Sequence, residues 1–369
     1  MATSLQGAAT KQDAGSTRKR IIYQSESLFA GKEGTPEVLR RIQSANYSFT
    51  VPRQDVSQYG QLGQIERVIV EVPTVNLDFT YNLWGSDGGS GKNNEQVLFG
   101  TTACDTTGSR GIMYNVNSDS DIEKQRYQIC LSNEGTDYFG TGQGSNKAII
   151  IDNGFLSSTS WTGSVGDVPS ATVNVESTKM RMATPDNSPT AAADSATTPR
   201  VLRPGNVTFT ATGSMSNSGS SNVIPVLGVD VLHVQSFTIS MDMPRESISR
   251  LGDKFEYARV ITFPLQATLS MEAIVSTQAA DNLNEIVGTD SGTASDPGYV
   301  IDVSCGKEGT TGVYGMGFRF KDAKVEGHSF STSIGANKSV TLDFAVQVDA
   351  GSAAYSAVGG AGFWVKQIA

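Results

Sequence analysis

Two long segments of the chain align with each other without a gap, and this internal match limits what the chain can fold into. Residues 42–77 match residues 234–269, with eleven identical positions, and the separation of Ile42 from Val234 is here called the first offset. A second pair, residues 160–175 and 329–344, also aligns, and the separation of Ser160 from Ser329 is called the second offset. Because both matches occur in the same order, the sequence predicts two tandem copies of one domain and not a short solenoid repeat.

The match divides the 369 residues into four parts. The first copy is predicted over residues 21–182 and the second over residues 201–369. Residues 183–200 are rich in Pro, Ala, Ser and Thr and are predicted to be a linker. Residues 1–20 are small and polar and are predicted to be a flexible arm. The change of offset gives the first copy 23 extra residues within residues 84–147, which indicates an exposed loop insertion.

Strand-forming residues dominate both copies. Runs rich in Val, Ile and Thr are bounded by turn residues, and no long amphipathic helix is predicted. Short helices are predicted at residues 93–99 and at the matching residues 283–287. Pro52 breaks the first strand, and a turn with a short irregular helix is expected up to about Gly63. The sequence therefore predicts an all-β fold of two β-sandwich or partly closed barrel domains, each with one short flanking α-helix.

No set of residues in the sequence points to catalysis or to metal binding. The two histidines, His233 and His328, have no Ser, Asp or Cys partner close in sequence, and the three cysteines are widely spaced. Asn117, Asp119 and Asp121 begin like a calcium loop, but the glycine and the final glutamate of such a loop are missing. We therefore expect no enzyme activity, no cofactor and no metal.

The net charge, the cysteines and the distribution of apolar residues argue against further classes of protein. The formal net charge is −9, which argues against tight binding of nucleic acid because phosphates require clustered Lys and Arg. Few, unpaired cysteines fit a reducing compartment. The N-terminal sequence lacks a signal-peptide core, and no apolar run reaches about 18 residues, so no membrane-spanning segment is expected.

Four residues with special backbone or charge properties recur in both copies. They are Pro52, Arg53, Gly60 and Arg67, which correspond to Pro244, Arg245, Gly252 and Arg259. We expect them to be repeated structural or subunit-contact positions, with the arginines pairing with carboxylates inside the domain or across a subunit contact. Trp161 corresponds to Phe330, which favours a place in the core. Trp84, Trp161 and Trp364, together with the Phe and Tyr residues, also qualify as stacking platforms for bases or sugars.

The second copy resembles the major tail tube proteins of tailed bacteriophages. The resemblance rests on residues 235–241, on Leu251-Gly252-Asp253, on residues 259–273 and on the closing residues 327–344. The first copy matches more loosely, since Tyr59 stands where the second copy has Leu251. The matched blocks cover about half of the chain.

The resemblance implies a fold and an assembly. Proteins of this family form a β-sandwich with a flanking helix, and they stack as rings whose inner strands line a channel for DNA. Loops and arms join one ring to the next. Some members carry two fused tube domains and form trimeric, pseudo-sixfold rings. The family supplies no catalytic residues.

The leading hypothesis is therefore a structural virion protein that self-assembles into the tail tube, an acidic-walled channel for DNA. Its expected partners are further copies of itself and other tail proteins: tape measure, baseplate or tip, terminator, and a sheath where the tail contracts. DNA is expected to pass without specific binding. The expected localisation is the virion tail, with the host cytoplasm during assembly. Two alternatives stay open: another virion component of related fold, such as a baseplate hub, tail-completion or head-decoration protein, and a β module that binds glycans or host surfaces.

Overall fold

The structure is a computed structural model of the chain. It describes residues 23–85, 92–101, 103–104, 110–115, 124–133, 137–138, 147–186, 202, 207–212, 233–253, 256, 258–274, 298–306, 315–331, 339–348 and 362–368. The predicted arm at residues 1–20, the linker from residue 187 on, the calcium-like residues 117–121 and the second helix at residues 283–287 lie outside these ranges. Below, the first half means the residues up to 200 and the second half those from 201.

Strands dominate the described residues, so the predicted all-β class is confirmed. The strands of the first half are β1 (Tyr23–Lys32), β2 (Thr35–Val38), β3 (Ile42–Thr50), β4 (Arg53–Val56), β5 (Glu66–Ile69), β6 (Thr74–Asn82), β7 (Gln125–Asn133), β8 (Ala148–Ser164), β9 (Ser170–Ser177) and β10 (Lys179–Ala183). The strands of the second half are β11 (Val207–Thr212), β12 (His233–Asp242), β13 (Arg245–Ile248), β14 (Ala258–Ile261), β15 (Leu265–Ile274), β16 (Tyr299–Gly306), β17 (Gly315–Ser331), β18 (Ser339–Val348) and β19 (Gly362–Ile368). The helix α1 (Asn94–Leu98) lies between β6 and β7.

Eight strands form one continuous antiparallel layer, here called the main layer. Their order is β3-β6-β9-β8-β12-β15-β18-β17, with the first four strands from the first half and the last four from the second. The two halves meet where β8 pairs with β12, and this junction is called the seam.

Two long strands, β8 and β17, belong to more than one layer. The first part of β8 pairs with β7 and β10, and its second part pairs with β9 and β12. The first part of β17 pairs with β16 and β19, and its second part pairs with β18. Asn153 (φ 56°) and Asp322 (φ 61°) lie where the partners change. A positive φ turns the chain sharply, so each strand leaves the main layer at this residue.

The strands outside the main layer and its hairpins form two outer sets. One set is β1, β2, β7 and β10 with the first part of β8, and the other is β11, β16 and β19 with the first part of β17. The core lies between the main layer and these two sets. Ring contacts join them, such as Phe79 of β6 with Tyr127 of β7 (centroids 6.3 Å apart) and Tyr299 of β16 with Phe344 of β18 (6.0 Å). Trp161 of β8 is fully buried, which confirms the core position predicted from its match to Phe330. One buried cluster contains residues of both halves. The domain limits stay a prediction, since the sheet and the core run through both halves.

Each half carries one two-stranded hairpin, which begins where the chain leaves β3 in the first half and β12 in the second. β4 pairs with β5, and β13 pairs with β14. The short irregular helix expected up to about Gly63 is wrong, because this segment is the β4–β5 hairpin and its loop. Gly60 (φ 94°) and Gly252 (φ 95°) lie in the two loops, and this backbone conformation favours glycine.

The helix α1 begins with the predicted asparagine cap. The Asn93 side chain accepts a hydrogen bond from the Gln96 backbone N–H (2.9 Å), and the Gln96 side chain accepts one from the Asn93 backbone N–H (3.2 Å). Such a reciprocal pair satisfies two N–H groups that a helix start leaves open. Gln125 of β7 donates to the carbonyls of Val97 and Leu98, which fixes the other end. In the described part of the chain, no helix is long and apolar enough to cross a membrane.

Candidate functional site: an acidic sheet face and two open strand edges

The main layer has one apolar face and one polar face. Along β6, for example, Val75, Leu77 and Phe79 are buried, and the alternate side chains are polar and more exposed. The alternate positions of the other central strands also carry mainly Ser, Thr and Asn. The charged side chains on this face of β6, β9, β8, β12, β15 and β18 are carboxylates: Asp78, Glu176, Asp242, Glu272 and Asp343. None of these six strands contains a lysine or an arginine.

Short polar side chains on this face bind one another. The Ser240 and Thr268 hydroxyls are 2.7 Å apart, and the Ser270 hydroxyl donates to the Asp343 carboxylate (2.6 Å). Ser44 and Thr80 make a similar contact in the first half (2.7 Å). A face of this kind presents negative charge and few apolar groups. It therefore repels phosphates and offers little apolar surface for another molecule to bind.

The seam completes the polar face across the two halves. Ser236 pairs with Ser164 at one end and Asp242 pairs with Ser158 at the other. On the opposite face, Ile239 and Met241 of β12 are fully buried. The seam is therefore both continuous in hydrogen bonding and well packed.

Each end of the main layer is a strand with one open side in the described part of the chain. β3 pairs with β6 alone, and β17 pairs with β18 alone over its second part. Tyr47 and Phe49 of β3 are 43% and 48% exposed, whereas their equivalents at the first offset, Ile239 and Met241, are fully buried. Such an edge carries free backbone groups and apolar side chains, and both favour the addition of another strand.

Three of the repeated residues of the second half, Pro244, Arg245 and Arg259, lie against the first half at the seam. Arg259 contacts Glu256 (2.7 Å) and Glu176 of β9 (3.0 Å), and its guanidinium lies 5.7 Å from the Phe155 ring centre. Arg245 donates to the Leu156 carbonyl (3.4 Å) and lies 5.0 Å from the same ring. Pro244 and Arg245 also line a cleft of about 320 Å³ with Phe155 and Glu176. Arg259 thus pairs with carboxylates, whereas Arg245 contacts a backbone carbonyl and an aromatic ring.

The corresponding residues of the first half are more exposed. Arg67 pairs with Asp55 of the same hairpin (2.9 Å), and both side chains are more than half exposed. Arg53 is exposed and Pro52 is half-buried. The structure therefore brings the repeated residues together in two separate sets, one on each hairpin.

The tryptophans do not form stacking platforms. Trp84, Trp161 and Trp364 are 2%, 0% and 2% exposed, so the interpretation as platforms for bases or sugars is wrong. Apolar burial holds them inside the fold. The glycan-binding alternative therefore loses the tryptophans as contact residues, while Tyr47, Phe49 and Tyr59 remain exposed.

The described residues offer little reactive chemistry. His233 lies in β12 and His328 lies in β17. Cys104, Cys130 and Cys305 are buried and free. Burial raises the pKa of the Cys130 thiol to about 11, which keeps it in the unreactive protonated form. No group of three or more His, Cys, Asp or Glu among the described residues could hold a metal ion.

Tyr81 and Glu95 form a buried acidic pair near the seam, which was not predicted from the sequence. The Tyr81 hydroxyl donates to Glu95 Oε1 (2.8 Å), and both residues are fully buried. Burial raises the pKa of Glu95 to about 7. A glutamate in the first turn of a helix is ordinarily solvated, so only the apolar residues around it (Val97, Leu98, Phe99) indicated burial.

A scan against known protein families finds no match to this sequence, and a search of curated proteins finds none either.

Proposed function

We propose that the chain is a structural subunit built from two copies of one domain, and that three chains close into a ring that stacks into a tail tube of a bacteriophage. The polar face of the main layer lines the channel, and DNA passes along it. The role is mechanical and not catalytic. The observation that carries the proposal is the eight-strand main layer, in which the seam joins four strands of the first half to four strands of the second.

Strand registers support the equivalence of the two units. Ala45 pairs with Phe79, and their equivalents at the first offset, Phe237 and Met271, also pair. The same offset relates the register of β4–β5 to that of β13–β14. Thr159 pairs with Val173, and shifting both by the second offset gives the pair His328–Leu342. The offsets are those of the sequence match, so sequence and pairing favour a duplication.

Irregular positions recur at the same offsets. The β3–β6 and β12–β15 ladders shift register at Gln43 and Gln235, which are separated by the first offset. The β8–β9 and β17–β18 ladders shift register at Ser157 and Glu326, which are separated by the second offset. Asn153 and Asp322, the residues with positive φ, have that same second separation. Bulges are conserved features of a domain and not random defects, so their recurrence favours a common origin.

The seam provides a template for contacts between chains. In it, Ser160 of β8 pairs with Ser240 of β12. The equivalents of these residues are Ser329 of β17 and Ser48 of β3, which lie on the two open edges. Pairing β17 of one chain with β3 of the next in this register continues the main layer without a break.

Burial supports the same arrangement. In the seam, Ile239 and Met241 are covered, while Tyr47 and Phe49 at the equivalent positions of β3 are about half exposed. Covering them adds about 1 kcal/mol each from the apolar surface removed from water. Backbone groups along both edges also gain ladder partners, so the contact resembles strand addition at an open edge.

The dimensions of a closed ring fit a DNA channel. Three chains supply twenty-four strands to the inner layer, eight from each chain. With strands about 4.8 Å apart and tilted by about 40°, the backbone circle is roughly 45–50 Å across. Side chains narrow the opening to about 35–40 Å, which admits a duplex roughly 20 Å wide. Asp78, Asp242, Glu272 and Asp343 on the inner face then repel the phosphates and keep DNA from adhering, whereas the charge of Glu176 is balanced by Arg259.

Paired cysteines test the ring directly. Ser48→Cys with Ser329→Cys places two thiols opposite each other only if β3 and β17 of different chains pair in the proposed register. Oxidation is then expected to give disulfide-linked trimers on a non-reducing gel, and electron microscopy of the unmodified chain is expected to show open rings. The native cysteines are buried and do not compete.

Two control variants make the result specific. Ser160→Cys with Ser240→Cys lies in the seam and must cross-link within one chain. Asn46→Cys with Ser329→Cys shifts the register by two residues and should cross-link poorly. Efficient seam cross-linking without any trimer from the edge pair, together with monomers in micrographs at high concentration, overturns the proposed assembly.

A further inference from the structure

We propose that Glu95 and Tyr81 form a proton-linked switch that controls how firmly α1 holds the seam. Glu95 carries a proton in the folded chain at mildly acidic pH, and loss of this proton loosens α1 from the strands around it. This inference uses contacts within one chain, and it stands whether or not the chains form rings.

The pair lies where both halves of the chain meet. Glu95 is on α1, and Tyr81 is on β6 of the main layer. Phe99, which caps α1, lies 6.3 Å from Trp161 of β8 between ring centroids. The Trp161 ring lies 5.5 Å from Phe318 and 5.9 Å from Phe363 of the second half. A displacement of α1 therefore acts on an aromatic cluster that joins the two halves.

The environment of the carboxyl group disfavours a negative charge. Glu95 is fully buried, and its Oε1 accepts one hydrogen bond from the Tyr81 hydroxyl. Its Oε2 is buried and has no hydrogen-bond partner among the described residues. A buried carboxylate with an unsatisfied oxygen costs several kcal/mol, and a protonated carboxyl group avoids most of this cost.

The groups that act on the pair come from β6, from β8 and from the turn that holds Cys104. Tyr81 of β6 donates to the carboxyl group, the Trp161 indole of β8 lies close to it, and the Cys104 thiol acts on Tyr81. Burial and the neighbouring Glu95 raise the pKa of Tyr81 well above its usual value, so Tyr81 remains protonated. Burial raises the pKa of Glu95 to about 7, and the Tyr81 hydrogen bond opposes this rise. Glu95 is therefore the group that titrates near neutral pH.

The direction of the pH effect follows from these contacts. Once α1 opens to water, Glu95 regains the usual pKa of a glutamate, close to 4.5, so opening releases a proton between this value and about 7. The open fraction of α1 rises about tenfold for each pH unit in this window and levels off above it. Below the window, α1 stays closed.

Hydrogen exchange on the full chain measures this opening. We expect the amides of Val97 and Phe99, which donate to Asn93 and Glu95 within the helix, to lose about 40-fold protection between pH 5 and pH 7 after correction for intrinsic exchange. Glu95→Gln keeps the shape of the protonated acid, and its protection should not vary with pH. Glu71→Gln, at an exposed position, should behave like the unmodified chain.

A second variant and a spectroscopic reading complete the test. Tyr81→Phe removes the hydrogen-bond donor that favours the carboxylate. The pKa of buried Glu95, and with it the upper limit of the pH window, should therefore rise. Infrared difference spectra should contain a protonated glutamate band at pH 5.5 that disappears by pH 8.5 and is missing in Glu95→Gln. The proposal is overturned if Glu95→Gln keeps the pH dependence of exchange, if Tyr81→Phe moves the window downward, or if the infrared band is absent.

Discussion

Arginines at equivalent positions of the two halves should differ in their contribution to the stability of the isolated chain. Arg259 has a side chain 10% exposed, and it pairs with Glu256, which is 9% exposed, and with Glu176. Arg67 and its partner Asp55 are 62% and 53% exposed. The two arginines are separated by the first offset and lie at matching positions of their hairpins.

The magnitudes follow from burial. Arg259→Ala leaves the Glu256 carboxylate buried, with the Ser247 hydroxyl (2.7 Å) still donating to it. Removing one partner of a buried ion pair costs roughly 3–5 kcal/mol, and the hydroxyl places this case near the lower end, at about 3 kcal/mol. Arg67→Ala breaks an exposed pair and should cost about 1 kcal/mol or less.

Denaturant unfolding of the unassembled chain, followed by circular dichroism at pH 7, measures both changes. Repeating it at 1 M salt adds a control, because screening weakens exposed pairs more than buried ones. The small effect of Arg67→Ala should shrink further, and that of Arg259→Ala should persist. Equal losses for the two variants, or a loss below about 1 kcal/mol for Arg259→Ala, refute the view that only the second hairpin is anchored within the chain.

Three further predictions concern the open edge, the core and the buried acid. Tyr47→Lys with Phe49→Lys should leave the unfolding free energy of the single chain within about 1 kcal/mol, since both side chains are half exposed, yet prevent rings in electron micrographs; rings that persist contradict the proposed edge contact. Trp161→Ala should cost about 3–5 kcal/mol in denaturant unfolding because it empties a fully buried site, and a cost under about 1 kcal/mol contradicts its place in the core. The unmodified chain should lose about 3 kcal/mol of stability relative to Glu95→Gln as pH rises from about 4.5 to above 7, since folding raises the pKa of Glu95 to about 7; parallel stability curves for the two proteins contradict this.

Local sequence patterns predicted much of the main layer. Runs rich in Val, Ile and Thr predicted strands in the regions of β6 and β15, and the Asn93 cap predicted the start of α1. The strand β5 lies in a segment that the sequence predicts as a strand, whereas β4 and its pairing with β5 are missed because both strands are exposed on each face and show no alternation. Exposed hairpins depend on cross-strand pairing, which a propensity pattern alone does not reveal.

The candidate site was less predictable than the fold. Its acidic residues are visible in the sequence, and alternation with buried residues places Asp78 and Asp343 on the polar side, yet the neighbours of their strands in the layer depend on pairings far apart in the chain. The pairing of β8 with β12 joins the two halves in one layer, and no short sequence motif indicates it. The burial of Glu95 depends on Tyr81 and Trp161, which lie on two different strands outside the helix. Long-range contacts decide each of these features, and local pattern carries little information about them.

The proposed origin of the chain, two fused copies of one domain, has a thermodynamic consequence for the proposed ring. Six separate domains would form six junctions between molecules, and each association would cost translational and rotational freedom. In the fused chain, the seam is one such junction formed within the molecule, so three chains need only three junctions between them. The linked domains hold β8 and β12 at a high effective concentration, which stabilises the seam before any second chain arrives. The contact of Arg259 with Glu176 across the seam fits this order, and the exposure of Tyr47 and Phe49 on β3 is what a single chain should retain until the ring closes.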